Sequence, residues 1–112
     1  MNHLRQRRFG ELQVIDGGAN SALSVDVAKS CGVELTKCHV SRFPDGESDV
    51  RVDEDVRGND VFVVQSTCTP VNDHLMDLLL VLDALKRASA GRITAVMPYF
   101  GYARKDRKDE GR

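Results

Sequence analysis

Nine residues near the C-terminal end, Arg104 to Arg112 (RKDRKDEGR), carry five cations and three acids. Arginine meets phosphate through a planar two-pronged fork and lysine as a point charge, so a polyphosphate is the anion such a run suits. Asp106 or Asp109 could help hold Mg²⁺, a hard cation that takes oxygen ligands and often arrives with a nucleotide. The run follows Pro98-Tyr99-Phe100-Gly101-Tyr102, an aromatic turn that closes a short apolar stretch, Ile93 to Met97. Pro98 cannot donate to a sheet ladder, so the strand ends there. A charged, solvated terminus explains the same charges, and the pattern alone does not separate the two readings.

A second candidate is Arg42-Phe43-Pro44-Asp45-Gly46-Glu47. Pro presets φ, Asp bonds back to its own backbone and Gly tolerates positive φ, which makes Pro-Asp-Gly a tight turn. Cys38 to Ser41 before it and Ser48 to Asp53 after it read as extended, with Val50 and Val52 on one face and Asp49, Arg51 and Asp53 on the other. Val40 to Val52 is therefore expected as an antiparallel hairpin whose tip holds an aromatic between charges. Phe43 calls either for a partner surface or for packing under the loop.

The remaining elements must position these two turns. Glu11 to Ile15 reads as a strand closed by Asp16-Gly17-Gly18, and Asn20 or Ser21 caps a helix to about Ser30, stopped by Gly32. The Gly pair before a helix N-terminus could receive an anion, but a plain tight turn is the stronger expectation. Val61 to Val64 is a continuous apolar run bounded by turns, as in a strand buried on both faces. Thr69 is expected as cap and Pro70 as first residue of a helix ending near Ala90-Gly91. Along it Val71, Leu75, Leu78, Leu82 and Leu85 form a stripe widened by Met76, Leu79, Leu80 and Val81. So apolar a helix belongs at the centre of its domain, at a subunit interface, or at both. Strand, helix, three strands, helix and strand make an α/β fold, with ligands expected beyond the carboxyl ends of parallel strands.

Composition narrows the classes. With 112 residues, 41% hydrophobic and 29% charged, the chain holds one domain at most, and a formal charge of −1 gives no global field for nucleic acid or membrane. No apolar run approaches the roughly 18 residues of a membrane span, and Met1 to Gly10 lacks the apolar segment of a secretory signal. Cys31, Cys38 and Cys68 have neither zinc nor CxxC spacing and are expected as reduced thiols. His3, His39 and His74 stand apart, and neither Walker nor GxGxxG spacing occurs.

Several runs taken together resemble one family. Phe43-Pro-Asp-Gly-Glu47, Val56-Arg-Gly-Asn-Asp-Val61, Gln65-Ser-Thr67, Pro70-Val-Asn72, Leu75-Met-Asp-Leu-Leu79, Asp83-Ala-Leu-Lys-Arg-Ala-Ser89 and Pro98-Tyr-Phe-Gly-Tyr-Ala-Arg-Lys-Asp-Arg-Lys108 are similar, in this order, to ribose-phosphate pyrophosphokinases (PRPP synthetases). The resemblance runs from about Leu12 to Lys108. It implies a phosphoribosyltransferase-like (type I) α/β domain, with a mainly parallel sheet flanked by helices plus an antiparallel hairpin. Residues 1–10 would be a tail and 11–112 part of the N-terminal domain.

The implied activity is transfer of the β,γ-diphosphoryl group of ATP to the 1-hydroxyl of ribose 5-phosphate, giving PRPP and AMP. The enzyme would be cytoplasmic, dependent on Mg²⁺ carried with ATP, and a homo-oligomer between dimer and hexamer. In the family the aromatic-acid turn reaches a neighbouring subunit's site. Phe43 would stack on adenine, Asp45 and Glu47 would bond its polar edge, and Arg104, Lys105, Asp106 and Asp109 would line the phosphate side.

Two departures stand out. Lys105 replaces the Gln usual in a YARQD-type run. The resemblance also spans only the first third of a typical member, so the metal-binding His, the catalytic loop and the acidic PRPP-binding loop are expected beyond Arg112. No catalytic residue or metal ligand is therefore assigned within this chain, and alone it is expected not to turn over ATP. A non-catalytic regulatory or assembly subunit of the same family is the alternative.

Overall fold

The computed structural model of the protein describes residues 9–103. Seven elements follow the expected order: β1 (Leu12–Asp16), α1 (Ser21–Ser30), β2 (Cys38–Arg42), β3 (Ser48–Val52), β4 (Asp60–Val64), α2 (Val71–Arg87) and β5 (Arg92–Val96). β4 lies between β1 and β5 in a parallel sheet, Ile15 opposite Val63 and Val64 opposite Val96. β2 and β3 form a separate antiparallel hairpin, from Cys38 opposite Val52 to Arg42 opposite Ser48. Leu35 adds a single parallel bridge to Val14 at the outer side of β1.

The apolar run of β4 is divided by the pleat, since successive side chains point to opposite faces. Val61 and Val63 are fully buried in a cluster with Ile15, Val56 and, from α2, Leu78, Val81 and Leu85. Val64 faces the other way and packs with Val14 and with Ala28 of α1. Cys38, Val40, Val50 and Val52 lay the hairpin's apolar face on the α2 side of the sheet. Helix α2 is thus covered by the sheet on one flank and approached by the hairpin on another.

The stripe on α2 is narrower than its composition suggests. Leu78, Val81 and Leu85 are buried, whereas Met76 and Leu79 are 50% and 49% exposed. They leave an apolar patch on the outer side of the helix. Its start also differs from expectation: Pro70, not Thr69, is the N-cap, and no side chain caps the helix. Pro70 keeps an extended ψ of 118°, so Val71 is the first helical residue. The helix ends at Arg87, because Ser89 turns the chain with φ 65° and Ala90 is engaged in an antiparallel bridge to Arg57.

At α1 the cap is Asn20, whose side chain accepts from the Leu23 N–H at 3.1 Å. The Gly17-Gly18 turn is served from within. The Asp16 carboxylate accepts from the Gly18 N–H at 2.9 Å and from the Ser21 and Ser24 hydroxyls at 2.6 and 2.8 Å. The negative charge that a helix N-terminus favours is therefore already in the chain, at the end of β1. At the opposite edge of the sheet Arg92 takes Asp60 with two nitrogens, at 3.0 and 2.8 Å, and lies 4.6 Å from the Phe9 ring centroid. That guanidinium holds the Asp60 carboxyl below its ordinary range.

Burial pushes the Cys38 thiol up to about 11, aided by the negative charges of Asp53 and Asp16. Cys38 consequently stays protonated and slow toward alkylating agents at pH 8, where exposed Cys31 reacts first; mass mapping of labelled cysteines checks this. The unfolded chain gives up this proton before the folded one does. The contribution of Cys38 to stability is therefore complete below its ordinary value near 9 and declines as pH rises through 11. Denaturant midpoints between pH 8 and 11 should fall less steeply in Cys38→Val.

Candidate functional site

The carboxyl end of β4 is where polar groups enter the core. Gln65, Ser66 and Thr67 are buried, Thr67 completely. Each hydrogen bond of Gln65 ties a different element to this point. Its backbone N–H donates to Val96 at the end of β5 (2.9 Å), and its amide nitrogen donates to the His74 carbonyl in α2 (3.1 Å). Its amide oxygen accepts from the Ala19 N–H just before α1 (3.0 Å). Gly17 must be glycine for this contact, since a Cβ would stand 2.4 Å from that oxygen.

Thr67 does the same for the aromatic turn after β5. Its N–H donates to the Tyr99 carbonyl at 2.9 Å, and its hydroxyl oxygen accepts from the Gly101 N–H at 2.7 Å. A Cβ on Gly101 would meet the Thr67 carbonyl at 2.4 Å and Val71 at 2.8 Å. The Tyr102 hydroxyl donates to Asn72 in the first turn of α2. Tyr99, Phe100 and Tyr102 are themselves exposed around this anchored backbone. The chain is thus delivered to Ala103 at the carboxyl edge of the sheet, where an α/β fold places its ligands. Arg104, Lys105, Asp106 and Asp109, the expected phosphate-side residues, lie outside the described residues.

The second candidate is described throughout. The turn between β2 and β3 closes with the Phe43 N–H donating to the Glu47 carbonyl at 2.8 Å and the Gly46 N–H to the Phe43 carbonyl at 2.9 Å. Asp45 bonds back to the Glu47 N–H at 3.0 Å, and Gly46 takes φ 95°, as Pro-Asp-Gly chemistry requires. Phe43 is 48% exposed, and Asp45 and Glu47 stand out beside it. Of the two readings of Phe43, full packing under its own loop does not occur, since about half of the residue's surface stays open.

Beneath the turn runs an open cleft of about 440 Å³, bordered by Gly46 and Glu47 above and by Asp73, Met76 and Leu80 of α2 below. The roots of the turn are held to the same helix. Arg42 and Ser48 both bond Asp77, at 3.1 and 2.7 Å. Asn72, which receives Tyr102, and Asp77 are five residues apart, or about 140° around an α-helix. The two turns therefore meet α2 on different sides. Among the described residues no three His, Cys, Asp or Glu side chains gather as a metal site would require, and no helix is long and apolar enough to cross a membrane.

Residues 12–112 match the model of the N-terminal domain of ribose phosphate pyrophosphokinase. The chain belongs to that family. It is 62% identical over 97 residues to the ribose-phosphate pyrophosphokinase of Burkholderia pseudomallei, covering 87% of this chain and 30% of that protein. With the chloroplastic ribose-phosphate pyrophosphokinase 2 of Arabidopsis thaliana it shares 56% over 106 residues, covering 95% of this chain and 26% of the relative. The crystal structure of phosphoribosylpyrophosphate synthetase from Mycobacterium smegmatis superposes with a TM-score of 0.85 at 47% identity, covering 92% of this chain and 35% of that one. This chain thus spans about a third of the length of the proteins it matches.

Within the pyrophosphokinase family pattern, the runs that carried the resemblance divide by physical role. Phe43 to Glu47 is exposed and closed by its own hydrogen bonds. Gln65-Ser66-Thr67 is buried and structural, and its part in holding the 99–102 turn is invisible in the sequence. Asp77 carries a signal that the sequence does show, a carboxylate inside an apolar helical stripe at Leu75-Met76-Asp77-Leu78.

Thr67→Val leaves the Gly101 N–H without its acceptor and should cost about 1–3 kcal/mol, whereas Thr67→Ser keeps that acceptor and should cost clearly less. Gly101→Ala should destabilise by about 1–3 kcal/mol through overpacking against Thr67 and Val71. Chemical denaturation of the three variants checks both.

Proposed function

We propose that this chain supplies the nucleotide-holding part of a ribose-phosphate pyrophosphokinase, which transfers the diphosphoryl group of ATP to ribose 5-phosphate and releases AMP. The observation that carries the reading is the preformed, exposed Phe43–Glu47 turn, built as a stacking platform beside two carboxylates. On this reading Phe43 stacks on adenine, and Asp45 and Glu47 accept from its exocyclic amine. Arg104, Lys105, Asp106 and Asp109 follow the anchored 99–102 turn and meet the phosphates, with Mg²⁺ brought in by ATP and held mainly by ligands elsewhere in the protein. Such a reaction depends on holding the two reactants in line and neutralising phosphate charge, tasks that positioned turns and cations perform.

The turn works in a neighbouring subunit's site. Its attachment to a different side of α2 from the 99–102 turn supports this, as does the half-exposed surface of Phe43. The half-exposed Met76 and Leu79 are suited to an interface between copies, in a cytoplasmic homo-oligomer.

Complementation between two weakened variants of the full-length protein tests the reading. Phe43→Ala and Arg104→Ala are each expected to lose most AMP formation from ATP and ribose 5-phosphate. Mixing them under conditions that exchange subunits should restore activity, because some hybrid sites then receive both side chains. If the single variants fail but the mixture stays as inactive as its parts, the turn serves its own subunit. Full activity in Phe43→Ala would remove the nucleotide-holding role altogether.

A further inference from the structure

The Phe43–Glu47 turn is stiff within itself but overhangs a cleft, so its place in space is set at its two roots. Arg42 and Ser48 are the last pair of the β2–β3 ladder, and every residue between them is exposed. The roots join in a closed ring with one carboxylate. Arg42 Nη1 donates to Ser48 Oγ at 2.7 Å, Ser48 Oγ donates to Asp77 Oδ1 at 2.7 Å, and Arg42 Nη2 donates to Asp77 Oδ2 at 3.1 Å. Asp77 is buried on α2 directly beside Leu78, while neighbouring Asp73 stays exposed and reaches Arg42 only at 3.9 Å. Both oxygens of Asp77 are thus committed to the turn.

We propose that Asp77 is a positioning residue for nucleotide recognition: by binding both roots from a fixed helix, it sets the height and tilt at which Phe43, Asp45 and Glu47 meet the base. The proposal rests on the nucleotide-holding reading of that turn. Stability alone gives little reason for this carboxylate. Apolar side chains of similar volume in place of a buried ion pair are often neutral or stabilising, whereas a guanidinium on one carboxylate oxygen and a hydroxyl on the other, bonded to each other, fix direction. Asp77 touches no part of the nucleotide in this scheme and acts only through Arg42 and Ser48. A turn that swings by an ångström loses alignment of ring and carboxylates together, an error that can cost as much as about a hundredfold in rate.

The test uses the full-length protein and five variants: Asp77→Asn, Ser48→Ala, Phe43→Ala and the two doubles that combine Phe43→Ala with each of the others. Asp77→Asn presents an amide to Arg42, while Ser48→Ala opens the ring without leaving a buried charge, so it serves if Asp77→Asn folds poorly. Each is expected to raise the KM for ATP about tenfold or more, leave the KM for ribose 5-phosphate within about twofold, and erode the preference for ATP over GTP.

A residue acting through the turn adds nothing once the aromatic is gone. Asp77→Asn combined with Phe43→Ala should therefore match Phe43→Ala alone, as should Ser48→Ala combined with Phe43→Ala. Unchanged ATP kinetics in both single root variants, equal losses for both substrates, or additive losses in the doubles would each overturn the positioning role. An unaffected Phe43→Ala would instead remove the reading on which it rests.

Discussion

The structure depends on a buried polar knot at the carboxyl end of β4. A glutamine and a threonine sealed from solvent would be destabilising if any of their polar atoms lacked a partner, since a buried unpaired group forfeits its hydration without return. Among the described residues no buried side-chain nitrogen or oxygen lacks one. Gln65 satisfies itself by gathering the turn before α1, the first turn of α2 and the end of β5, and Thr67 by fixing the turn after β5. Apolar packing of Val61, Val63 and Val64 makes the sheet, but packing is tolerant of small slides. Hydrogen bonds with fixed partners are not. The knot therefore determines where the chain stands when it leaves the sheet toward its cations.

Helix α2 carries that constraint outward. Its inner face, Leu78, Val81 and Leu85, is locked against β4 and the core, so its axis is set by the sheet. Its first two turns then hold two external structures, the 99–102 turn through Asn72 and the hairpin tip through Asp77. Neither attachment depends on the other, but both are referenced to one rigid body. Recognition groups carried on exposed turns lose little precision when the roots of those turns are bound to such a body.

Much of this was legible in the residues because local chemistry and long-range packing agree. Pro44-Asp45-Gly46 predicts a tight turn from backbone preferences alone, and the alternation of Val50 and Val52 predicts which hairpin face is buried. The continuous run of Val61 to Val64 predicts a central strand because only burial on both faces suits it. Sequence and structure part where tertiary structure overrides a local rule. Pro70 is suited to a first helical position but remains extended, which starts the helix one residue late. Met76 and Leu79 widen the apolar stripe in the sequence, which leaves open whether they belong to the core or to an interface; the sheet buries Leu78, Val81 and Leu85 and leaves these two half-exposed. Buried polar partners such as Gln65, Thr67 and Asp77 are the least legible, because their partners lie 9 to 46 residues away, and spacing carries no trace of that.

The division between apolar and polar burial also explains why one short chain contains so many of the family's recognisable runs. Apolar core positions tolerate exchange among residues of similar volume, so a core specifies a fold without specifying a sequence. A closed hydrogen-bond ring or a glycine against a carbonyl admits far fewer substitutes. Gln65-Ser66-Thr67 and Gly101 are of the second kind. Arg42, Ser48 and Asp77 form such a ring at the root of the 43–47 turn. Several of the runs that make the chain recognisable are therefore places where geometry rather than hydrophobicity is being held, and these converge on the 43–47 and 99–102 turns.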